Sequence, residues 1–190
     1  MKPEDFPTLD ATLDWTLREL SRAALDRKSA FRWPVLVTCD EAQPQGRIVV
    51  LRSFSRKRRK ALIYTDQRTP KVAQVQRNPL ASLVFFDSRR TIQIRANGSA
   101  QIISSGIEHA NVWQKMSEGA KRDYTSVLSP GNAQSAPDSS PTNMADQPSH
   151  FTMIELSVTT IDWLMISRQG HRRALFDWDG DKASQTWVTP

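Results

Sequence analysis

Ten short segments rich in Val, Ile and Phe, with only three helical stretches among them, constrain this 190-residue chain more than any other feature. They lie at 33–39, 47–53, 61–65, 81–86, 91–97 and 99–103, then at 151–158, 161–166, 171–177 and 184–188. Runs of this length and composition, bounded by turn residues or basic clusters, read as β-strands. Leu9, Leu13, Leu17, Leu20 and Ala24 recur at steps of three and four. That spacing predicts an amphipathic helix over 8–29, with Thr8 as N-cap after Pro7. Further helices are expected at about 70–77 and 106–122. No internal repeat and no βαβ alternation is visible, so the fold class is α+β, an antiparallel barrel with helices packed outside it. A chain of this length is read as one domain, 1–190.

Composition narrows the class. With 38% hydrophobic and 24% charged residues the chain reads as a folded globular protein. The one compositional break is 129–150, where four prolines, five serines and almost no apolar residue make either a flexible excursion or a lid over a site. A single cysteine, Cys39, excludes an intrachain disulfide framework, and three histidines far apart argue against a metal site. No apolar run approaches the ~18 residues of a membrane span. Acids and prolines occupy the start, where a signal peptide needs an apolar core, so a cytoplasmic protein is expected.

Lys and Arg number 26 against 20 Asp and Glu, a net charge of +6, which suits an anionic ligand without naming it. Residues 47–60 (RIVVLRSFSRKRRK) hold seven of those basic residues and no acid. Arg56 to Lys60 is either a solvated turn or a nucleic-acid patch, and no aromatic stacking platform follows it. Arg47 and Arg52 differ, because they bracket the apolar run IVVL and can present guanidinium forks at the ends of a strand. TDQRTPK (65–71) closes a strand and opens a helix, with Thr69 at the N-cap and Pro70 at the first helical position. Lys71 then opposes the helix dipole in the first turn. Either it is simply exposed there, or a phosphate sits beside it. In TIQIRANG (91–98), Gln93 and Arg95 face away from Ile92 and Ile94, toward solvent or a ligand ring. Trp163 is core or ligand contact, and His171 and Arg173 alternate on one face of the next strand.

Taken in order, RIVVLR (47–52), YTDQRTPK (64–71), NPLASLVFF (78–86), QIRANGSA (93–100) and the pair Trp163 and Arg173 resemble the FMN-binding split-barrel family of pyridoxamine 5′-phosphate oxidase and its relatives. The resemblance runs from about Phe31 to Pro190. It implies an antiparallel split β-barrel with flanking helices, an FMN cofactor, a small-molecule substrate and a homodimer with FMN at the interface. Neither nucleic acid nor membrane is an expected partner. Arg47 and Lys71 would hold the FMN phosphate, helped by Thr69. The backbone of Ile48, Val49, Val50 and Leu51 would run along the isoalloxazine toward Arg52, with Tyr64 and Thr65 bordering it and Gln93 reaching its edge. Gln134 and Ser135 match the family's Gln-Ser pair. Trp163 and Arg173 match positions that complete the site from the opposite subunit.

Arg52, Lys121, Gln169 and His171 fall on substrate positions, with Ser117 and Thr125 beside Lys121. There the family's Arg-x-His reads Gln169-Gly170-His171, which removes a guanidinium. The function implied is an FMN-dependent oxidoreductase with an altered substrate site. Its alternatives are genuine pyridoxamine 5′-phosphate oxidation and flavin holding without turnover. The flavin would carry the chemistry, so no acid–base pair or metal is required of the chain.

Overall fold

Thr8 opens the first helix, its Oγ1 accepting from the Ala11 amide at 3.2 Å. This helix, α1, spans Leu9–Ala23 and stops short of residue 29. Two contacts end it. Arg32 reaches back to donate to the Ala24 carbonyl at 2.8 Å, and Asp26 turns the chain by accepting from the Lys28 amide at 2.9 Å. A basic side chain on the last carbonyls is a favourable helix end.

The computed structural model describes residues 2–126, 128–133, 149–180 and 182–190. After α1 they form β1 (Val35–Asp40), β2 (Gln43–Ile48), β3 (Leu51–Ser55), β4 (Lys60–Asp66), α2 (Pro70–Arg77), β5 (Leu80–Asp87) and β6 (Ile92–Ile103). Then follow α3 (Ile107–Lys115), α4 (Glu118–Lys121), β7 (Phe151–Met165), β8 (Arg172–Asp179) and β9 (Lys182–Val188). The strands pair antiparallel in the order β2-β1-β5-β6-β7-β4-β3, with β8 on β7 and β9 on β8. An unclosed antiparallel sheet with helices around it is the α+β class expected. The long strand β7 joins its parts, because residues 151–157 pair with β4 and residues 160–165 with β8.

Local chemistry moves several expected boundaries. The strand expected over 47–53 is two, since β2 ends at Ile48, β3 begins at Leu51, and the Val49 amide donates to the Pro34 carbonyl at 2.9 Å instead. Conversely, 91–97 and 99–103 are one strand, bent by a bulge between Asn97 and Gly98. Glycine is required there, as a Cβ would stand 1.9 Å from the Ser157 carbonyl oxygen. Residues 151–158 and 161–166 likewise join as β7. The helix expected over 106–122 breaks at Met116, whose backbone is extended, and Ser117 caps α4 by accepting from the Ala120 amide at 3.4 Å. Most of the loop expected at 129–150 lies outside the described residues.

Register sorts the side chains onto two faces. Leu36, Leu83, Ala96, Ile161 and Phe176 form one row across β1, β5, β6, β7 and β8, and all are buried. Phe6, Phe31 and the apolar stripe of α1 close this core. Side chains of this size each contribute roughly 1.5–3 kcal/mol on burial. The adjacent row, Ile48, Val35, Val84, Arg95 and Asp162, points outward, with Ile48 68% exposed. A second cluster of Leu62, Tyr124, Phe151 and Met153 packs with Val112 and Trp113 of α3.

Candidate functional site

The first turn of α2 collects cations. Pro70 occupies its first position, where a missing N–H costs nothing. Lys71 Nζ donates to the buried Thr65 hydroxyl at 3.1 Å. Thr69 holds the N-cap position but makes no capping bond. Its Oγ1 donates to the Asp66 carbonyl at 2.7 Å and lies 3.3 Å from Thr65 Oγ1. Arg47 comes from β2, paired with Leu36 and therefore on the inner face. It donates to Thr38 Oγ1 and, at 2.9 Å, to Gln74 Oε1. The partners of both cations are thus neutral. Burial, and next the charge of Arg47, push the Lys71 ammonium below the ordinary lysine value; Asp66 offsets this in part, although Arg68 already holds its carboxylate at 2.7 Å. Burial also lowers Arg47. Two half-buried cations that repel each other, beside a helix N-terminus, are set up to receive an anion.

Beside this pocket the backbone leaves the ladder. Val49 and Val50 separate β2 from β3, and the register of β3 on β4 slips between Leu51 and Ser53, at Arg52. The Arg52 guanidinium lies 5.2 Å over the Tyr64 ring and its charge also acts on the Tyr124 hydroxyl, while its Nε is buried without a partner. Burial raises both tyrosines above their ordinary value, against the pull of Arg52. Phe151 packs edge-on to Tyr64 at 5.3 Å. Tyr64 and Thr65, neighbours in sequence, consequently face different environments: the aromatic box and the cation pocket.

Other expected site residues lie elsewhere. Phe86, Gln93, Leu164 and Arg173 form one row on the outer face. Arg173 makes a two-point contact with Asp162, at 3.0 and 2.7 Å, and Arg95 holds the same carboxylate from the other side. Burial raises the Asp162 carboxyl, but hydrogen bonds from Arg173 and Arg95 outweigh it and hold the group below its usual range. Trp163 does not share that face. It is fully buried against Phe6, ring centres 4.7 Å apart, its indole N–H unpartnered. Within one chain Trp163 is core, and Leu164 is the residue beside Arg173.

Among the substrate candidates, Lys121 pairs with Glu118 at 2.7 Å and lies over Trp113. Gln169 and His171 are exposed, with the Ser167 amide donating to His171 Nδ1 at 3.1 Å. Gln134 and Ser135 lie outside the described residues. The basic turn 56–60 is largely tied into the fold: Arg56 pairs with Asp14, Arg59 lies over Trp178, and Lys60 pairs with Glu155 at 2.6 Å. Thr38, Gln74 and Tyr124 join the site without a sequence signal of their own, because only folding brings them to Arg47 and Arg52.

The fold is an unclosed antiparallel β-sheet with two half-buried cations, Arg47 and Lys71, beside the start of α2. Residues 14–104 match the family described as "Pyridoxamine 5'-phosphate oxidase, FMN-binding domain". A pyridoxine/pyridoxamine 5′-phosphate oxidase of Legionella pneumophila (strain Lens) is 31% identical over 97 residues, 50% of this chain and 43% of that protein. The chain therefore matches less than half the length of such curated relatives. A pyridoxamine 5′-phosphate oxidase-related, FMN binding protein from Nostoc punctiforme superimposes with a TM-score of 0.74 at 22% identity, covering 93% of this chain and 96% of that one. PhzG from Burkholderia lata 383, solved with tetrahydrophenazine-1-carboxylic acid, gives 0.76 at 18% identity, covering 100% and 98%. The two structures share the fold, and residues 14–104, just under half of the chain, match the pyridoxamine 5′-phosphate oxidase FMN-binding family. FMN is the cofactor to which that family points.

Proposed function

We propose that this protein holds FMN through Arg47 and Lys71 and acts as an FMN-dependent oxidoreductase on a small molecule. Its substrate site departs from that of pyridoxamine 5′-phosphate oxidase. The observation that carries this reading is the pair of mutually repelling, half-buried cations whose partners are all neutral. A phosphate monoester fits that donor set, and the hydroxyls of Thr65 and Thr69 stand within it. The apolar backbone of Ile48 to Leu51, outside the regular ladder at Val49 and Val50, suits the flat face of a ring system. FMN, when bound, supplies reversible two-electron hydride chemistry. The chain's part is to anchor and orient. Arg47 and Lys71 fix the phosphate end, and Arg52 keeps a permanent charge beside Tyr64 and Tyr124 for an anionic substrate group. With Lys121 engaged by Glu118 and a neutral Gln169, the grip on a substrate phosphate is weaker than a set of free guanidinium groups would give.

A homodimer belongs to the same proposal. Arg47 lies on the inner face, with Lys71 beside it on α2, whereas Gln93 and Arg173 stand on the outer face, with Ile48 and the 53%-exposed Phe86. Within one chain the two sets stand on opposite faces, so a second copy would supply its Gln93 and Arg173 to the ligand held by Arg47 and Lys71. Titration of FMN into apoprotein, with sedimentation of the product, tests this. Arg47→Ala and Lys71→Ala are each expected to weaken FMN by roughly 1.5–3 kcal/mol. Holoprotein is expected at about 43 kDa, twice the 21.5 kDa chain. Unchanged affinity in both variants removes the phosphate assignment, and a monomer that binds FMN tightly removes the shared site.

A further inference from the structure

We infer that Gln74 and Thr38 are positioning residues for Arg47: neutral acceptors that aim its guanidinium without cancelling its charge, leaving it free for a phosphate. The inference rests on the phosphate reading above. Both residues are buried, 3% and 1% exposed, and they come from separate elements, α2 and β1. Gln74 Oε1 accepts from Arg47 at 2.9 Å and from the Thr38 hydroxyl at 2.6 Å, and Thr38 Oγ1 accepts from the other terminal nitrogen of Arg47. At its far end Gln74 Nε2 donates to Asp40 at 3.4 Å, and Asp40 is anchored by Arg77 at 2.6 Å. Two donors face the amide oxygen and a carboxylate faces its nitrogen, so one orientation of the amide satisfies every partner. Arg47 is then held at both terminal nitrogens, with further N–H groups of its five left over.

What singles this network out is the charge it omits. A half-buried arginine is ordinarily matched by a carboxylate, which satisfies hydrogen bonding and neutralises the cation together. Here an amide and a hydroxyl meet the geometric need only, and Lys71 stands alongside with a neutral hydroxyl as its hydrogen-bond partner and only the partial pull of Asp66 on its charge. The one nearby carboxylate in the network, Asp40, is kept a residue away, behind the Gln74 amide. An acceptor isosteric with Gln74 but charged would hold Arg47 as well and close the site to anions.

Paired titrations with FMN and riboflavin test this, because the two ligands differ only in the phosphate and their affinity ratio isolates that contact. Gln74→Glu is expected to weaken FMN roughly tenfold to a hundredfold while riboflavin changes by less than about threefold. Thr38→Val is expected to lower the ratio in the same direction, and Thr38→Ser, which keeps the hydroxyl, to restore it. A purely structural role would weaken both ligands together, and that outcome overturns the inference. Thr38→Val serves as the second arm if a Gln74 variant does not fold, with thermal melts confirming the folded state. Arg47→Ala separates the two levels. If it leaves the FMN preference intact, the phosphate reading itself fails. If it abolishes the preference while the Gln74 and Thr38 variants keep theirs, the positioning inference alone is overturned.

Discussion

Replacing Lys71 by methionine separates stability from binding. The ammonium is half-buried, donates to Thr65 Oγ1 at 3.1 Å, and is repelled by Arg47. Methionine retains most of the stem and removes the charge. Without FMN the variant should melt at or above the wild type; a gain of ~0.5 kcal/mol moves Tm by roughly 1–2 °C for a chain of this length. With FMN the order should reverse. Loss of one charge-assisted phosphate contact costs about 1.5–3 kcal/mol, at least roughly tenfold in Kd. At FMN equal to a hundred times the wild-type Kd, linkage stabilises the wild type by about 2.7 kcal/mol and a tenfold weaker variant by about 1.4 kcal/mol. The FMN-induced rise in Tm should therefore fall to about half. The pH dependence follows the same sign. Lys71 has a folded value below its unfolded one, so the unfolded state binds more protons between the two. Apoprotein stability then rises with pH through that interval, toward the ordinary lysine value, and Lys71→Met should lose that rise. Thermal melts with and without FMN provide the assay. A variant that melts lower than wild type without FMN yet keeps the full FMN-induced shift would refute the reasoning.

Trp163→Phe should lower Tm by several degrees, as buried aromatic truncations cost on the order of 1–3 kcal/mol, while FMN affinity stays unchanged; weaker FMN with an unchanged melt would return Trp163 to the ligand site. Gly98→Ala should destabilise by roughly 1–3 kcal/mol in denaturant titrations, because its Cβ meets backbone at Ser157, and an unaffected midpoint would contradict the bulge geometry. Wild-type oxidation of pyridoxamine 5′-phosphate should be poor, and Gln169→Arg should raise kcat/KM roughly tenfold or more; efficient wild-type turnover would show Gln169 to be no obstacle.

Much of the fold was legible because it rests on local patterns. Thr8, the leucine spacing of α1 and the Thr69-Pro70 start of α2 stand where their chemistry predicts. The departures share one cause, tertiary partners distant in sequence. The IVVL run looks like one strand, yet Val49 bonds to Pro34 and the ladder breaks. Asn97-Gly98 looks like a turn, but the close approach of Ser157 makes it a bulge inside one strand. Thr69 has the residue type of a cap, and its hydroxyl is drawn instead to Asp66 and Thr65. In the site, Arg47 stood out by bracketing an apolar run and Lys71 by opposing the helix dipole, whereas Thr38 and Gln74 did not stand out, since a buried Thr and Gln acquire meaning only when β1 and α2 meet Arg47. The run Arg56 to Lys60 misleads in the opposite way, as a dense charge cluster largely spent on Asp14, Trp178 and Glu155.

The most direct measurement is the absorption spectrum of the purified protein after saturation with FMN and removal of free ligand, with the mass of the released chromophore. A flavin spectrum, FMN as the released species and close to one FMN per chain are the expected results. A protein that stays colourless after exposure to FMN, or retains riboflavin as readily as FMN, would contradict a phosphate pocket at Arg47 and Lys71.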